Sequence, residues 1–260
     1  MKAAPNACET LPWCGPPQAA TIDSDEVHVW RAALNQPPSQ IRYFRRLLAA
    51  DEQTRAARLY FEKDREHFIA ARGIVRDILG RYLNSAPESL SFRYGSHGKP
   101  DLAGDGSKAG IRFNLSHSRG VALCAVASGR QVGIDVEQVR AELAIVEIAE
   151  RFFSPREVAT LLLLPAQEQR PAFFRCWTRK EAYIKARGEG LSIPLDQFDV
   201  SLSPGEPAAL LDARPDSSEC SRWSLQDLDA APGFAAALAM EGQAGCLRYW
   251  QWQDSGRQSA

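Results

Sequence analysis

The chain has 260 residues, 45% of them hydrophobic, enough for one large domain or two modest ones around a sizeable core. A formal net charge of −1 excludes a general nucleic-acid binder, whose affinity rests on a basic surface. No apolar run approaches the ~20 residues of a membrane span, and the start, MKAAPNACETLPWCGPPQ, lacks the apolar core of a secretory signal, so a cytoplasmic protein is expected.

Residues 1–24 are rich in Ala and Pro without periodicity and are expected to form a mobile tail. Glu26 to Leu34 alternates through Val27 and Val29 as a first strand, which Asn35-Gln36-Pro37-Pro38 ends. Ser39 is placed to cap a helix carrying Ile41, Phe44, Leu47 and Leu48, and Asp51 to cap a short one ending near Tyr60. From Asp64 to Tyr82 the residues Phe68, Ala71, Ile74, Val75, Ile78, Leu79 and Tyr82 recur at helical spacing. Arg65, Arg72 and Arg76 fall off that stripe, where charged residues usually make a solvated face. Leu90 to Tyr94 is a short strand, and the turn Gly95-Ser96-His97-Gly98-Lys99-Pro100 then sets a positive charge on a rigid loop.

Ile111 to Leu115 alternates and ends at Ser116-His117, where a hydroxyl and an imidazole either pack or hold a phosphate together, the imidazolium adding charge. No G-x-S-x-G turn surrounds Ser116, so it is not a nucleophile. Val121 to Ala127 reads as a buried strand. In QVGIDVE, Gln131 to Glu137, the apolar residues Val132, Ile134 and Val136 alternate with Gly133, Asp135 and Glu137. Asp135 and Glu137 therefore share a face, roughly 6.5–7 Å apart along the strand. They form the acidic outer face of a half-exposed strand or a pair of hard oxygen ligands.

Ser154-Pro155-Arg156-Glu157 makes a complete capping box, with Ser at N-cap, Pro at N1 and Glu at N3. In FFRCWTRKEAYIKARGEGLS, Phe173 to Ser192, the residues Phe173, Phe174, Trp177 and Ile184 give a helix one buried face, and Gly188 stops it as a left-handed C-cap. Glu181 and Lys185 stand one turn apart. They are a solvated pair worth about 0.2–0.5 kcal/mol, or an acid, base or metal ligand with its charge neutraliser. Taken with Asp135 and Glu137, Glu181 completes three hard oxygen donors, which suit Mg²⁺ better than zinc.

Phe198, Val200 and Leu202 alternate as a strand, Ser203 to Ser221 is a Pro- and Ser-rich loop, and Trp223 to Leu228, Phe234 to Met240 and Leu247 to Trp252 are further strands. Six scattered cysteines, with no C-x-x-C and no histidine at zinc spacing, are reduced thiols that mostly fill the core. An internal echo pairs helix ARGIVRDIL and strand GVALCAVA with helix KEAYIKARG and strand GFAAALAM. An α+β protein of two similar halves, 25–130 and 131–252, is expected, with a ligand cleft at their junction and a C-terminal tail at 253–260.

Several of these stretches together carry a likeness. They are Gly98-Lys99-Pro100, Phe113-Asn114-Leu115-Ser116-His117-Ser118, Gly133-Ile134-Asp135-Val136-Glu137, Arg151-Phe152-Phe153-Ser154 with Glu157, and Trp177-Thr178-Arg179-Lys180-Glu181-Ala182-Tyr183-Ile184-Lys185 with Gly188, Gly190, Leu191 and Ser192. In this order and spacing the chain resembles a 4′-phosphopantetheinyl transferase of the larger, Sfp-like type, from about Val27 to about Trp252. The resemblance implies a pseudo-twofold fold, each half holding a small, mostly antiparallel sheet and a long helix. It implies an enzyme that moves phosphopantetheine from coenzyme A to a serine of an apo carrier protein (acyl, peptidyl or aryl) and releases 3′,5′-ADP.

Mg²⁺ would sit on Asp135, Glu137 and Glu181; Glu181 or Glu157 would be the base; Lys185 would neutralise or protonate the departing 3′,5′-ADP, with Lys180 assisting. Arg55, Arg72, Lys99, Ser116 and His117 would hold the phosphates and the nucleotide. Glu52 departs from the family's pattern, since some members carry a basic residue there. A cytoplasmic monomer serving antibiotic, polyketide or nonribosomal-peptide synthesis follows from the same likeness. The competing readings are a Mg²⁺-dependent nucleotide-pyrophosphate hydrolase and a non-catalytic module that binds coenzyme A or a carrier protein.

Overall fold

Both the alternation that begins at Glu26 and the helical spacing after Asp64 persist in the computed structural model, which describes residues 13–17 and 19–254. Strand β1 (Glu26–Ala33) leads to helices α1 (Pro38–Leu47), α2 (Ala50–Ala57) and α3 (Glu62–Leu83), then to the hairpin β2 (Phe92–Tyr94) and β3 (Pro100–Leu102). Strands β4 (Ile111–Ser118), β5 (Val121–Ser128) and β6 (Val132–Gln138) follow, and then helices α4 (Ile145–Phe152), α5 (Pro155–Leu163) and α6 (Ala166–Arg187). The remainder is β7 (Phe198–Val200), β8 (Leu210–Ala213), α7 (Glu219–Arg222), β9 (Trp223–Asp227), β10 (Phe234–Glu241) and β11 (Cys246–Gln251).

Two sheets carry the architecture, ordered β11-β1-β5-β4 and β6-β10-β9. Within them the strands pair antiparallel, except β1 with β11, which run parallel. Period-two alternation gives each strand two apolar faces with different partners. In β5, Ala122, Cys124 and Val126 join the core beneath α3, whereas Leu123, Ala125 and Ala127 pack on Val132, Ile134, Val136, Leu238 and Met240 of the second sheet. In β10, Ala237 and Ala239 instead pack under α6, with Ala182 and Ala186. The layers are thus helix, sheet, sheet, helix, and the two outer helices, α3 and α6, are each 22 residues long.

Several local expectations are corrected. Helix α1 starts two residues earlier than a Ser39 cap allows, with Pro38 at its first position and Pro37 as the flanking residue. Its fixed φ suits a first helical turn, where the missing N–H costs nothing. Likewise α2 starts at Ala50, so Asp51 lies inside its first turn, and Glu52 Oε2 accepts the Ala49 N–H at 3.0 Å. Strand β4 runs on through Ser116 and His117 to Ser118 because Val121–Ser128 pairs with its full length. The 203–221 loop contains β8 and α7.

Arg72 and Arg76 are buried rather than solvated. Arg76 donates to Glu52 Oε2 through Nε and Nη2 (2.9 and 2.6 Å) and to the Pro87 and Leu90 carbonyls. Helix α3 is covered on more than one side, and a charge on its second face has to be paired. Of the expected N-terminal tail, residues 13–17 dock on the first sheet: Cys14 pairs with β11, donating to Tyr249 O at 3.0 Å and accepting from Gln251 N–H at 2.7 Å. Residues 1–12 and 255–260 of the two expected tails lie outside the described residues. Strand β11, late in the chain, belongs to the first sheet. Among the described residues no helix is long and apolar enough to cross a membrane.

A strand and a helix meet backbone to backbone at Gly133. A Cβ there would stand 2.1 Å from the Ala182 carbonyl oxygen and 2.2 Å from the Ala186 nitrogen, both backbone atoms of α6. Gly133→Ala is therefore expected to push α6 off β6 and to lower stability by at least about 1–3 kcal/mol, the usual range for overpacking. Urea denaturation, with the midpoint compared to wild type, measures this.

Candidate active site

Strands β4 and β6 are the facing edges of the two sheets, but no backbone ladder joins them. Alternate side chains of β4 reach across instead. Asn114 Oδ1 accepts the Ile134 N–H at 2.8 Å, Ser116 Oγ the Val136 N–H at 3.4 Å, and Ser118 Oγ the Gln138 N–H at 3.2 Å. An open strand edge has to be covered, and here small polar side chains cover it. The two serines hand their protons on, Ser116 to Asp135 Oδ1 at 2.8 Å and Ser118 to Glu137 Oε2 at 2.9 Å.

Helix α6 closes over the same carboxylates. Lys185 Nζ lies 2.6 Å from Asp135 Oδ1 and 3.2 Å from Ser116 Oγ. Asp135 is 2% exposed, and its other oxygen, Oδ2, is buried without a hydrogen-bond partner. Glu181, one turn before Lys185, lies in the field of Lys185, Asp135 and Glu137. Burial raises the pKa of Glu181 above the usual carboxylate value; Lys185 opposes the shift while Asp135 and Glu137 add to it. Glu137 is raised in the same way, by burial first and by Asp135 second. The helix and the strand thus bring together all three acidic groups and the lysine. Among the described residues they do not form a preassembled metal-ligand cluster, and the Lys185 ammonium is what faces Asp135.

Lys99, on the turn between β2 and β3, bridges the start of β6 and the last turn of α6 by donating to Val132 O and Ala186 O, each at 3.2 Å. Burial brings its pKa down to about 8. Lys99, Lys185 and Gly188 line a cavity of about 200 Å³ with His97, Asn114 and Leu115. His117 reaches solvent on β4, but burial of its ring, His67 and Lys185 all lower its pKa, so the neutral imidazole is favoured. An imidazolium charge, expected from the sequence, is not what this environment favours.

Arg72 is held by Tyr94, to whose hydroxyl Nη2 donates at 2.6 Å, and by Glu52, whose Oε1 is 3.3 Å from Nε. Arg55 is exposed and stacks on Phe68, as Arg72 does, at 5.7 and 5.8 Å from the ring centre. Glu52 is 1% exposed and serves as the buried counter-ion of Arg76 and Arg72.

Residues 131–239 match the family model described as the 4′-phosphopantetheinyl transferase superfamily, and residues 30–129 match the one described as 4′-phosphopantetheinyl transferase, N-terminal. The 4′-phosphopantetheinyl transferase HetI of Nostoc sp. is 42% identical over 240 residues, covering 92% of this chain and 98% of its own. The chain belongs to the 4′-phosphopantetheinyl transferase family. The 4′-phosphopantetheinyl transferase Sfp of Bacillus subtilis is 30% identical over 196 residues, 75% of this chain and 83% of that one. A human relative, the L-aminoadipate-semialdehyde dehydrogenase-phosphopantetheinyl transferase, is 30% identical over 167 residues, 61% of this chain and 54% of its own. This chain is accordingly a transferase that moves phosphopantetheine from coenzyme A to carrier proteins.

Two of the expected site residues of this transferase lie apart from the cluster. Lys180 is fully buried; its Nζ sits 2.8 Å from Glu157 Oε2 and donates to the Leu195 and Phe198 carbonyls. Glu157 closes the expected capping box with Ser154 and also accepts the Val200 N–H at 2.8 Å. This pair ties α5, α6 and β7 together. Conversely, Asn114 and Ser118 enter the sequence motif without any assigned role, although their period-two polar spacing on an otherwise buried strand marks an edge with something to bond.

Lys180→Met is expected to destabilise the transferase by about 3–5 kcal/mol, because it leaves Glu157 buried without its cation. Thermal denaturation checks this. Coenzyme A affinity of the protein that remains folded should be near wild type.

Proposed function

We propose that transfer takes place at the β4–β6–α6 seam, is Mg²⁺-dependent, and uses an acyl, peptidyl or aryl carrier protein as acceptor. The observation that carries this is the convergence of Asp135, Glu137 and Glu181 about Lys185 in a cleft lined by Lys99. The donor set consists of carboxylate oxygens, which suit a hard cation, and Asp135 Oδ2 is buried without a hydrogen-bond partner. When bound to these three residues, Mg²⁺ would supply charge neutralisation to the pyrophosphate of coenzyme A.

This chain's own residues would do the rest. Phosphoryl transfer is mostly positioning and charge stabilisation, and the carrier serine is the nucleophile. Glu181, directly or through a water, takes the proton of that serine. Lys185 neutralises or protonates the departing 3′,5′-ADP. Lys99, Arg55 and His117 are the groups free to meet phosphates and nucleotide; Arg72 and Ser116 are already engaged, by Glu52 and Tyr94 and by Asp135. Glu157 and Lys180 take no part, since their polar atoms are committed in the core. Internal duplication makes a monomer sufficient.

Incubation with coenzyme A, Mg²⁺ and an apo carrier protein should add one phosphopantetheine to the carrier by mass. Asp135→Asn, close in shape, is expected to lose at least a hundredfold in turnover while keeping the fold; near-normal turnover with Mg²⁺ present would refute the assignment. Lys185→Ala should lower kcat far more than it raises the KM for coenzyme A, since the lysine acts on charge that develops in the transition state.

A pH effect follows from Lys99. Its pKa in the folded protein lies below the ordinary lysine value, so the ammonium is charged below about pH 8 and is lost as pH rises through it. The KM for coenzyme A should therefore climb above about pH 8, and Lys99→Arg, which stays charged, should flatten that rise. Steady-state kinetics across pH 6.5–9.5, ~1.5 units to either side of that pKa, read both outcomes.

A further inference from the structure

We infer that Ser118 is a positioning residue for Glu137, and that β4 uses the ladder Asn114–Ser116–Ser118 to aim the acidic strand while closing the seam between the two sheets. The inference rests on the role proposed above for Asp135 and Glu137 and extends it to residues outside the ligand set.

The chemistry of a hydroxyl carries it. A serine Oγ has one proton to give and two lone pairs to receive. At Ser118 one lone pair takes the Gln138 N–H at 3.2 Å, and the proton goes to Glu137 Oε2 at 2.9 Å. Ser116 repeats this two residues earlier, with the Val136 N–H as donor and Asp135 Oδ1 as acceptor. Asn114 accepts the Ile134 N–H in the same way. The register is constant: 114 with 134, 116 with 136, and 118 with 138. Each serine therefore accepts from the residue that follows a carboxylate and donates to that carboxylate, which leaves its rotor a single bonded orientation.

Two properties of the seam make this matter for function. Had β4 and β6 paired through their backbones, the Val136 and Gln138 N–H groups would meet carbonyls instead of the serine oxygens, and nothing would fix the hydroxyls that donate to the acids. Glu137, moreover, has a long side chain, broad in its last torsion, and is repelled by Asp135. Asp135 is pinned by both Ser116 and Lys185, whereas among the described residues Ser118 is the only side chain that hydrogen-bonds to Glu137. Without that bond Glu137 swings outward, and the acid pair loses its second arm.

The test compares wild type, Ser118→Ala and Ser118→Thr as full chains. It measures Mn²⁺ binding by electron paramagnetic resonance, the Mg²⁺ dependence of kcat, the KM for coenzyme A, and thermal stability. Ser118→Ala is expected to weaken Mn²⁺ binding about tenfold, as loss of a residue that orients a ligand typically does. Its kcat at low Mg²⁺ should fall in step, with the KM for coenzyme A and the melting temperature close to wild type; Ser118→Thr, which keeps the hydroxyl, should restore binding. Ser118→Cys, similar in volume with a poor donor, replaces the alanine variant if that one does not fold.

Wild-type Mn²⁺ affinity in Ser118→Ala overturns the inference, as does a loss of affinity that threonine fails to restore. A wild-type protein that neither binds Mn²⁺ nor modifies a carrier overturns the proposed function, and this inference with it. A fully active wild type with an indifferent Ser118→Ala overturns the ladder alone.

Discussion

At Gly133 the backbone of β6 meets the backbone of α6 with no side chain between them: a methyl group would lie 2.1 Å from Ala182 O and 2.2 Å from Ala186 N. Ala182 and Ala186 are one helical turn apart, and each directly follows a site residue, Glu181 and Lys185. On the strand, Asp135 and Glu137 lie two and four positions past Gly133 on the same face. One contact between small residues thus sets the distance, the rotation and the register with which a helix presents a carboxylate and an ammonium to two more carboxylates. A wider helix–strand gap, filled by ordinary side chains, would leave the same four groups too far apart to act on one another.

The polar chemistry is placed where the fold is least closed. Each sheet ends at an edge strand, β4 in one and β6 in the other, and the seam between them is bridged by side chains alone. Such a seam tolerates charge because its hydrogen-bonding groups are already polar and oriented, unlike the apolar contact that Val132, Ile134 and Val136, on the inner side of β6, make with Leu123, Ala125 and Ala127 of β5. Burial still makes itself felt: Glu137 and Glu181 hold their protons to higher pH than free carboxylates. Lys185 supplies the positive partner within this group of acids, at 2.6 Å from Asp135 Oδ1.

Elsewhere the molecule buries charge for a different purpose. Glu52 with Arg72 and Arg76 fastens α2 to α3, and Glu157 with Lys180 fastens α5 to α6 and β7. Neither cluster lines the cleft that Lys99 and Lys185 share. Bonding capacity to spare is what distinguishes the two kinds of cluster: Asp135 Oδ2 is buried without a hydrogen-bond partner, whereas Glu157 is committed to Lys180, Ser154 and Val200.

Much of the fold and the acidic site could be read from order and period alone. Alternation in QVGIDVE places Asp135 and Glu137 on one face whatever surrounds them, the 3.6-residue repeat places Glu181 above Lys185, and Gly188 ends the helix, because these are properties of local backbone geometry. The capping box at Ser154-Glu157 was equally legible for the same reason. What spacing could not reveal is what each charge faces across the chain. Arg76 looks solvated on a helical wheel and is buried; Lys180 and Lys185 are neighbours on one helix, yet one anchors the core and the other meets Asp135. Those outcomes depend on ion pairs between residues 23 to 50 positions apart, and on a strand edge covered by serines, which exist only once both sheets are folded. Local sequence decided which groups share a face; tertiary packing alone decided which face became a site.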